Sequence, residues 1–412
     1  MIGEGITRIG SGNFCCSQGI TEVKLPSTLT SIGDAAFWGM MMADGTDIII
    51  PNSVKTLGTE AFAQIYNCGK VVMSDQIKTI PYMAFYQTGK TIIVGKNVES
   101  INKYAFMDTG DYCVLQSIIF KNDVDYESVN LRPDDGNVDI YRTCTGGVAF
   151  MGSSIAKKNK TVPAKAGGYD VVKIGSYAFD SNNKLVSVTM PKSVKTIGPY
   201  AFYSCSKLAN VKMGSDTETI SKFAFYGCNS LEAITLPNSI KTIGKRAFWH
   251  CYSLEKIKIP ATVQTIEQYA FGKCTGLETV TIGDVAAAAS ASSAVPKAAA
   301  YSKTDMTAAS MATSKNTRIK KYAFNGCKSL RSVVIGKRVK NIGVRSFAGC
   351  SALKILKIKT TKLTGSRIGS GAFKGVKTKI KVYVPKSKYK YYKKILRKKG
   401  ISKKAKFIKV KF

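Results

Sequence analysis

The sequence has very little of what active sites are usually built from. It contains one histidine, His250, so a Ser-His-Asp or Cys-His catalytic device would depend on that residue alone. Its cysteines never show the CxxC spacing of a zinc site, and no phosphate loop or paired-carboxylate motif occurs. We therefore expect no catalytic residue, no cofactor and no metal site, and the sequence does not favour an enzyme.

Long apolar runs and acidic residues are also scarce. No run of about 18 apolar residues occurs, so no transmembrane segment is expected. The opening residues, MIGEGITRIGSGNF, lack the charged and apolar regions of a signal peptide. Only 26 Asp and Glu oppose 62 Lys and Arg, and the resulting net charge of +36 favours an anionic partner.

What the sequence does contain is a repeat. One phenylalanine position recurs every 23 residues, at Phe179, Phe202, Phe225, Phe248 and Phe271. A fixed period of about 20 to 50 residues is typical of solenoids, in which each repeat buries its apolar side against its neighbours. The position recurs in about fourteen copies, which besides these five include Phe14, Phe37, Phe62, Phe85, Phe106, Phe324, Phe347 and Phe373, with Phe150 as an irregular copy.

Other columns of the repeat predict its secondary structure. An isoleucine or leucine lies five residues before each phenylalanine, and an alanine usually lies one residue before it. Segments such as KIKIP (256–260) alternate lysine with apolar residues and end in proline, which is the pattern of a short strand. The residues around the phenylalanine suit a short helical turn. We predict an α/β repeat solenoid of about fourteen coils of about 23 residues, with parallel β-strands and short helical turns.

The frame L-x-x-V-x-I-P-x-S-V-x-x-I-G-x-x-A-F-x-x-C is seen at residues 185–205 and 231–251, with other apolar residues at some of its aliphatic positions. It resembles the BspA-like (Treponema-type) leucine-rich repeats over most of the chain. The resemblance implies a leucine-rich-repeat horseshoe and a family dominated by surface and secreted proteins, many thought to be adhesins, with no shared catalytic residue. The glycine column departs from the frame. Gly198 and Gly244 are replaced elsewhere by larger residues, so this position does not require a positive φ.

Six cysteines belong to the repeat, because each lies three residues after a phenylalanine. We predict a structural ladder of buried free thiols that donate to the backbone of the neighbouring coil. His250 precedes one of them in a variable column that also holds serine, glycine and lysine, so we interpret it as an exposed bystander. The ladder consists of Cys205, Cys228, Cys251, Cys274, Cys327 and Cys350. Cys15, Cys16, Cys68, Cys113 and Cys144 lie off this pattern, and a Cys113–Cys144 disulfide stays open.

Two insertions interrupt a solenoid predicted to span residues 1–376. Residues 107–170 are irregular and include an acidic stretch, which we interpret as a solvated loop in preference to a calcium site because EF-hand spacing is missing. Residues 284–317 are rich in Ala, Ser and Thr, and we expect a mobile or partly helical excursion beneath which the solenoid closes. The chain opens at the end of a strand without a cap, so we also expect a longer precursor with a signal peptide.

Residues 377–412 contain sixteen Lys and Arg and no acidic residue. They predict a lysine-rich, β-α-β-like cap over the last coil. Its helix would begin after an N-cap at Ser387, end at Gly400, and turn Tyr389, Tyr392 and Leu396 to the solenoid.

The outward positions of the main strands form the candidate binding surface. These positions are rich in threonine and lysine and nearly free of aromatic residues. Aromatic residues gather instead beside the phenylalanine column, where packing between coils is favoured over a stacking strip for sugars. The candidate binding residues are Lys212, Thr235, Lys258, Thr281 and Lys357.

Two functions stay open. The first is a non-enzymatic, adhesin-like interaction protein, extracellular or at the cell surface, that binds a protein, a glycan or an acidic polymer of a host or a cell wall. The second is nucleic-acid or other polyanion binding through the basic surface. Specific nucleic-acid recognition is not expected, because the basic side has no interleaved aromatics and no recognition motif. We expect a monomer.

Overall fold

The structure is a computed structural model that describes residues 2–102, 104–107, 115–122, 138–153, 156–284 and 316–412. The chain divides into two compact units, Met1–Lys157 with Pro163–Ala178 (unit 1) and Lys158–Val162 with Phe179–Phe412 (unit 2). Each is a β-solenoid, and together they make about fifteen turns.

Most solenoid turns contain two strand positions, which stack on those of the next turn as two parallel ladders. The main ladder uses the segment whose apolar residues alternate with polar ones, and the short ladder uses the Thr-Ile pair that follows. The strands before residue 175 are β1 (Arg8–Ile9), β2 (Ser31–Ile32), β3 (Met41–Ile49), β4 (Thr56–Leu57), β5 (Tyr66–Val72), β6 (Thr79–Ile80), β7 (Thr91–Val94), β8 (Ser100–Ile101), β9 (Ser117–Phe120), β10 (Asp139–Cys144), β11 (Gly147–Ser153), β12 (Asn159–Thr161), β13 (Lys165–Ala166) and β14 (Tyr169–Ile174). The later strands are β15 (Ser187–Thr189), β16 (Thr196–Ile197), β17 (Asn210–Lys212), β18 (Thr219–Ile220), β19 (Thr242–Ile243), β20 (Lys256–Ile259), β21 (Thr265–Ile266), β22 (Thr279–Ile282), β23 (Thr317–Ile319), β24 (Ser332–Ile335), β25 (Val339–Ile342), β26 (Ile355–Ile358), β27 (Lys381–Pro385) and β28 (Lys406–Val410).

In unit 1 the main ladder runs β3-β5-β7-β9-β10 with all neighbours parallel. β10 then turns back on β11 as an antiparallel hairpin, and β14 pairs parallel to β11. The segment 107–170, which the sequence predicts to be irregular, therefore contains β9 to β13 and the first two residues of β14 in its described residues. The acidic residues before 138, and Cys113 with its candidate disulfide, lie outside the described residues.

In unit 2 the main ladder comprises β12-β15-β17 and β20-β22-β24-β26-β27-β28, and Ala233 joins the second set through a bridge to Lys256. The short ladder runs β16-β18-β19-β21-β23-β25. The repeat resumes in register after residues 285–315, since Ile282 pairs with Ile335. The prediction that the solenoid closes beneath this segment is thus confirmed.

The core is a stack of the repeated phenylalanines. From Phe179 to Phe373, successive rings of unit 2 lie 4.8 to 5.5 Å apart between centroids and within 10° of parallel. The residue before each ring is a buried alanine, or Ser346 before Phe347, and its carbonyl accepts a bond from the phenylalanine N–H of the preceding turn, as Ala224 does from Phe202 at 2.7 Å. A larger side chain at the alanine would hold the turns apart.

The predicted short helical turns do not form. The chain around each phenylalanine turns through two left-handed residues, for example Tyr200 at φ +57° and Ser204 at φ +54°, and an α-helix cannot pass through such residues. In the described part of the chain the one α-helix is α1 (Tyr389–Lys398), so the repeats make a β-solenoid. Neither Gly198 nor Gly244 has a positive φ, which confirms the prediction for the glycine column.

The last 36 residues contain β27, a 3-10 turn (Lys386–Lys388), α1 and β28, and both strands extend the main ladder. The helix buries Tyr392 and Leu396, while Tyr389 is half-buried. The predicted cap at Ser387 is wrong, because this residue lies in the 3-10 turn and α1 has no side-chain cap. Gly400, at φ +111°, follows the helix end as predicted.

Candidate interaction surface

Thr235, Lys258, Thr281 and Lys357 share one outward column of the main ladder of unit 2, and Lys212 holds the same position of the repeat frame one turn before Thr235. Lys258 pairs with Thr281 in strand register, and the bridge from Ala233 to Lys256 carries the same register to Thr235. Lys212, Thr235 and Lys258 are exposed, whereas Thr281 and Lys357 are half-buried.

The column is interrupted by a residue that the sequence analysis left out. Thr281 pairs with Val334, and Val334 pairs with Lys357, so a half-buried valine separates the last two candidates. Since neighbouring strands lie about 4.8 Å apart, Thr281 and Lys357 are about 10 Å apart along the ladder. The uninterrupted part of the surface is therefore Lys212 to Thr281.

A second outward column runs beside the first, two residues earlier in each strand. Lys256 is exposed in it, and Lys381 and Lys406 pair with each other at the cap. The alternation that marks Lys258 as outward places these three lysines outward as well, so the sequence contained the signal for them. We call the two columns together the ladder face. The second column contains Ala233, Lys256, Thr279, Ser332, Ile355, Lys381 and Lys406.

Aromatic residues enter the ladder face at the cap. Tyr383 pairs with Lys357 in register, and the Lys357 Nζ lies 5.7 Å from the centroid of its ring. A cation over a ring face is attracted by the ring quadrupole. Tyr383 is therefore an exception to a surface expected to be nearly free of aromatic residues, and it lies on a cap strand that does not follow the repeat frame.

The exposed lysines of the ladder face have no acidic partner among the described residues, a property that they share with most lysines of unit 2. Lys241 forms an ion pair of 2.6 Å with Glu218 on the short ladder, and Lys359 forms one of 2.6 Å with Asp284. Among the described residues no carboxylate lies within ion-pair distance of Lys212, Lys256 or Lys258. Their charges are available to an anionic partner.

The six repeat cysteines lie buried behind the turn that follows the phenylalanine. Each thiol donates to the carbonyl of the phenylalanine in the preceding turn, with Sγ–O distances from 2.8 Å for Cys205 to 3.4 Å for Cys350. Burial raises the pKa of Cys274 to about 12 and does the same for Cys205. The thiolate, which is the reactive and metal-binding form, is therefore suppressed in these two cysteines.

His250 lies in the column of left-handed residues, with φ +63°. Its half-buried ring is 5.3 Å from the Trp249 ring and 5.5 Å from the Tyr226 ring. Burial lowers the pKa of His250, and the charges of Lys273 and Arg246 lower it further. The neighbouring Cys251 thiol points away from it to the carbonyl of Phe225. The predicted exposed position of His250 is therefore wrong, because aromatic neighbours cover part of its ring.

The aromatic residues beside the phenylalanine column pack on one another between turns. Tyr200 stacks on Phe223 at 4.8 Å, and Tyr203 stacks on Tyr226 at 4.7 Å. The guanidinium of Arg246 lies 5.1 to 5.5 Å from the ring centroids of Phe223, Trp249 and Tyr269. Because neighbouring residues occupy these ring faces, the structure favours packing over a sugar-binding strip.

Two further properties bear on the class of protein. Across the described ranges, no helix is long and apolar enough to cross a membrane. The same residues contain no cluster of three or more His, Cys, Asp or Glu that could hold a metal ion.

Comparison with known proteins agrees with the repeat frame. The family model for the BspA type leucine rich repeat region (6 copies) matches residues 1–126, 172–291 and 296–407. None of the curated proteins matches the chain.

Several solved structures are similar in sequence. The leucine-rich-repeat protein of T. pallidum is 26% identical, with 52% of this chain and 86% of that one covered and a TM-score of 0.42. A leucine-rich cell surface protein from Faecalibacterium prausnitzii is 26% identical over 67% of this chain and 82% of that one, with a TM-score of 0.34. A leucine-rich-repeat protein from Eubacterium ventriosum is 22% identical over 87% and 83%, with a TM-score of 0.37. With the family model covering well over half of its length, this chain belongs to the BspA-type leucine-rich-repeat family.

Proposed function

We propose that this chain is a non-enzymatic, adhesin-like interaction protein, extracellular or at the cell surface, that binds a protein or an acidic glycan polymer through the ladder face of unit 2. The observation that carries the proposal is the placement of exposed, unpaired lysines along one rigid sheet face, at Lys212, Lys256 and Lys258. Membership in the family and the F. prausnitzii relative, which is named a cell surface protein, support the location.

The ladder face suits an extended partner. Lys212 and Lys258 are two turns apart, which is about 10 Å at the usual strand spacing, and Thr235 lies between them. A polymer or an extended loop that runs along the ladder would meet a cation on alternate turns and a hydroxyl in between. The strands fix the backbone before binding, so the conformational entropy lost is mainly that of the lysine side chains. We also propose that the chain is a monomer and that its solenoid curves as a horseshoe.

A matched pair of triple variants tests the proposal. Lys212→Thr, Lys258→Thr and Lys357→Thr together remove the lysines of the first column and leave threonine, which already occupies Thr235 and Thr281. The control carries Lys245→Thr, Lys320→Thr and Lys321→Thr, which are exposed lysines beyond the short ladder. Both variants lower the net charge of +36 by three, so only the position of the charge differs.

Wild type and both variants are screened against matrix proteins, cell-wall polymers, glycans and DNA at low and at physiological salt. We expect at least one protein or glycan to bind at physiological salt, the face variant to bind at least tenfold more weakly, and the control to bind like wild type. Equal losses in both variants would show that net charge alone matters, and the ladder face would then be excluded.

The net charge of +36, with the acid-free segment 377–412, favours a second candidate function, the binding of nucleic acid or another polyanion. In that case log affinity for DNA falls linearly with log salt, by about 0.9 for each phosphate neutralised. Tight DNA binding that persists at physiological salt, with no protein or glycan partner, would favour this function over the first.

A further inference from the structure

Two cysteines of unit 1 are exposed and adjacent. Cys15 and Cys16 follow Phe14, and their Sγ atoms lie 3.4 Å apart. Side chains of neighbouring residues normally point apart in helices and strands. Here they converge because Cys16 takes a left-handed conformation, with φ +56°, at the same turn position where later repeats place Gly39 and Gly227.

The pair is poorly arranged for a disulfide between its own sulfurs. Neighbouring Cα atoms are about 3.8 Å apart across a trans peptide, whereas disulfides usually join Cα atoms about 4.4 to 6.8 Å apart. The N–H of Cys16, which belongs to the peptide between them, donates to the carbonyl of Trp38 at 2.7 Å, and the N–H of Cys15 donates to Gly12 at 3.0 Å. Twisting that peptide to close the ring would break the bond to the next turn.

The same separation suits a single atom held between the two sulfurs. With metal–sulfur bonds of about 2.3 Å, sulfurs 3.4 Å apart subtend about 95° at the central atom. A tetrahedral centre would need them about 3.8 Å apart, and a linear one about 4.6 Å apart. Angles near a right angle are typical of pyramidal trivalent centres, such as arsenic(III), that carry a third substituent of their own.

We propose that Cys15 and Cys16 form a two-thiol chelating site for a trivalent thiophilic metalloid. The reaction with an arsenoxide balances without a redox step: two S–H bonds and the bond to the oxo group break, two arsenic–sulfur bonds form, and the oxygen leaves as water with both protons. The site is independent of the ladder face.

Cys15 and Cys16 differ from the other described cysteines in being exposed to solvent. The six repeat thiols and Cys68 are buried, and Cys144 is half-buried. Cys113 lies outside the described residues, so the experiment includes a Cys113→Ser variant as well as Cys144→Ser as matched controls.

The reduced full chain is titrated with phenylarsine oxide, followed by native mass spectrometry and by counting thiols that react in the folded state. We expect one phenylarsenic group per chain, the loss of two fast-reacting thiols, and reversal by a small dithiol but not by a monothiol. Cys15→Ser and Cys16→Ser are each expected to weaken binding at least a hundredfold, while Cys113→Ser and Cys144→Ser bind like wild type.

Three results would overturn the proposal. One is wild-type binding that survives in either Cys15→Ser or Cys16→Ser. Another is the absence of stoichiometric binding although both thiols react with a monofunctional reagent. The third is a Cys15–Cys16 disulfide in the purified chain that forms readily in air. Far-UV circular dichroism of each serine variant verifies that the solenoid is intact.

Discussion

Replacing Gly227 by alanine measures how much free energy of unfolding is lost when an L-residue takes the left-handed position after the phenylalanine of a turn. Gly227 has φ +70°, and a Cβ there would meet nothing closer than the Ser204 Cα and Oγ atoms at 3.6 Å, which is ordinary contact. Space is therefore available, and the cost comes from the backbone. A left-handed L-residue costs about 1–2 kcal/mol. Alanine recovers about 0.4–1 kcal/mol through the smaller entropy of its unfolded chain. We expect a net loss of about 1 kcal/mol in the free energy of unfolding.

The reverse change is available two turns later. Lys273 occupies the same column with φ +60° and an exposed side chain. Lys273→Gly relieves the strain and should stabilise unit 2 by about 0.5–1 kcal/mol. Lys273→Ala removes the same side chain but keeps the Cβ, so its stability should stay close to that of wild type.

Urea unfolding followed by tryptophan fluorescence measures these differences. The chain has two tryptophans, so a Trp38→Phe background leaves Trp249 of unit 2 as the single reporter. If Gly227→Ala proves as stable as its parent, or Lys273→Gly no more stable than Lys273→Ala, the backbone argument is refuted.

Three further changes test the core, the thiols and the cap. Phe248→Ala removes a fully buried ring with neighbours at 5.0 and 5.1 Å and should cost about 3–5 kcal/mol in urea unfolding, far more than Phe248→Leu. Burial raises the pKa of Cys274 from 9.0 to about 12, so the thiol loses its proton at lower pH in the unfolded chain than in the folded one. The free energy of unfolding should therefore keep its full value below pH 9 and fall as the pH rises towards 12, and the fall should be less steep in Cys274→Ala. Tyr392→Phe abolishes the donation to the Thr360 carbonyl at 2.9 Å and should cost about 1–3 kcal/mol, detected as faster proteolysis of the cap.

The repeat period was enough to predict the stacked strands. Residues that must touch the same neighbours in every turn recur at the same position, so the isoleucine, alanine, phenylalanine and cysteine columns are visible in one sequence. The left-handed positions were not visible, because tyrosine, arginine and lysine occupy them as well as glycine. Without that constraint the residues around the phenylalanine looked like a short helix. Segments such as KRAFW, at 245–249, have suitable composition for one, and propensity alone does not reveal where the chain must turn.

Irregular repeats limited how much of the remaining fold and of the candidate surface could be predicted. β10 and β11 form a hairpin in the main ladder without the repeat frame, so residues 107–170 looked irregular although strands occupy them. The candidate surface was affected in the same way. The candidate residues included Thr281 and Lys357 but not Val334, which lies between them, and they did not extend to Tyr383 because the cap follows a different pattern. Strand alternation is local, whereas the identity of the neighbouring strand is not.

Because the strand register is kept across residues 285–315, this position is suited to the insertion of another sequence. Ile282 and Ile335 are strand partners, just as residues one repeat apart would be. Both flanks are held in place, because Asp284 forms an ion pair with Lys359 and the Thr317 hydroxyl donates to the Val263 carbonyl. Doubling the length of a loop between fixed ends costs only about 0.6 kcal/mol in closure entropy. A reporter domain or a display peptide grafted between these anchors should therefore leave the ladder intact and be carried at a defined point along the solenoid.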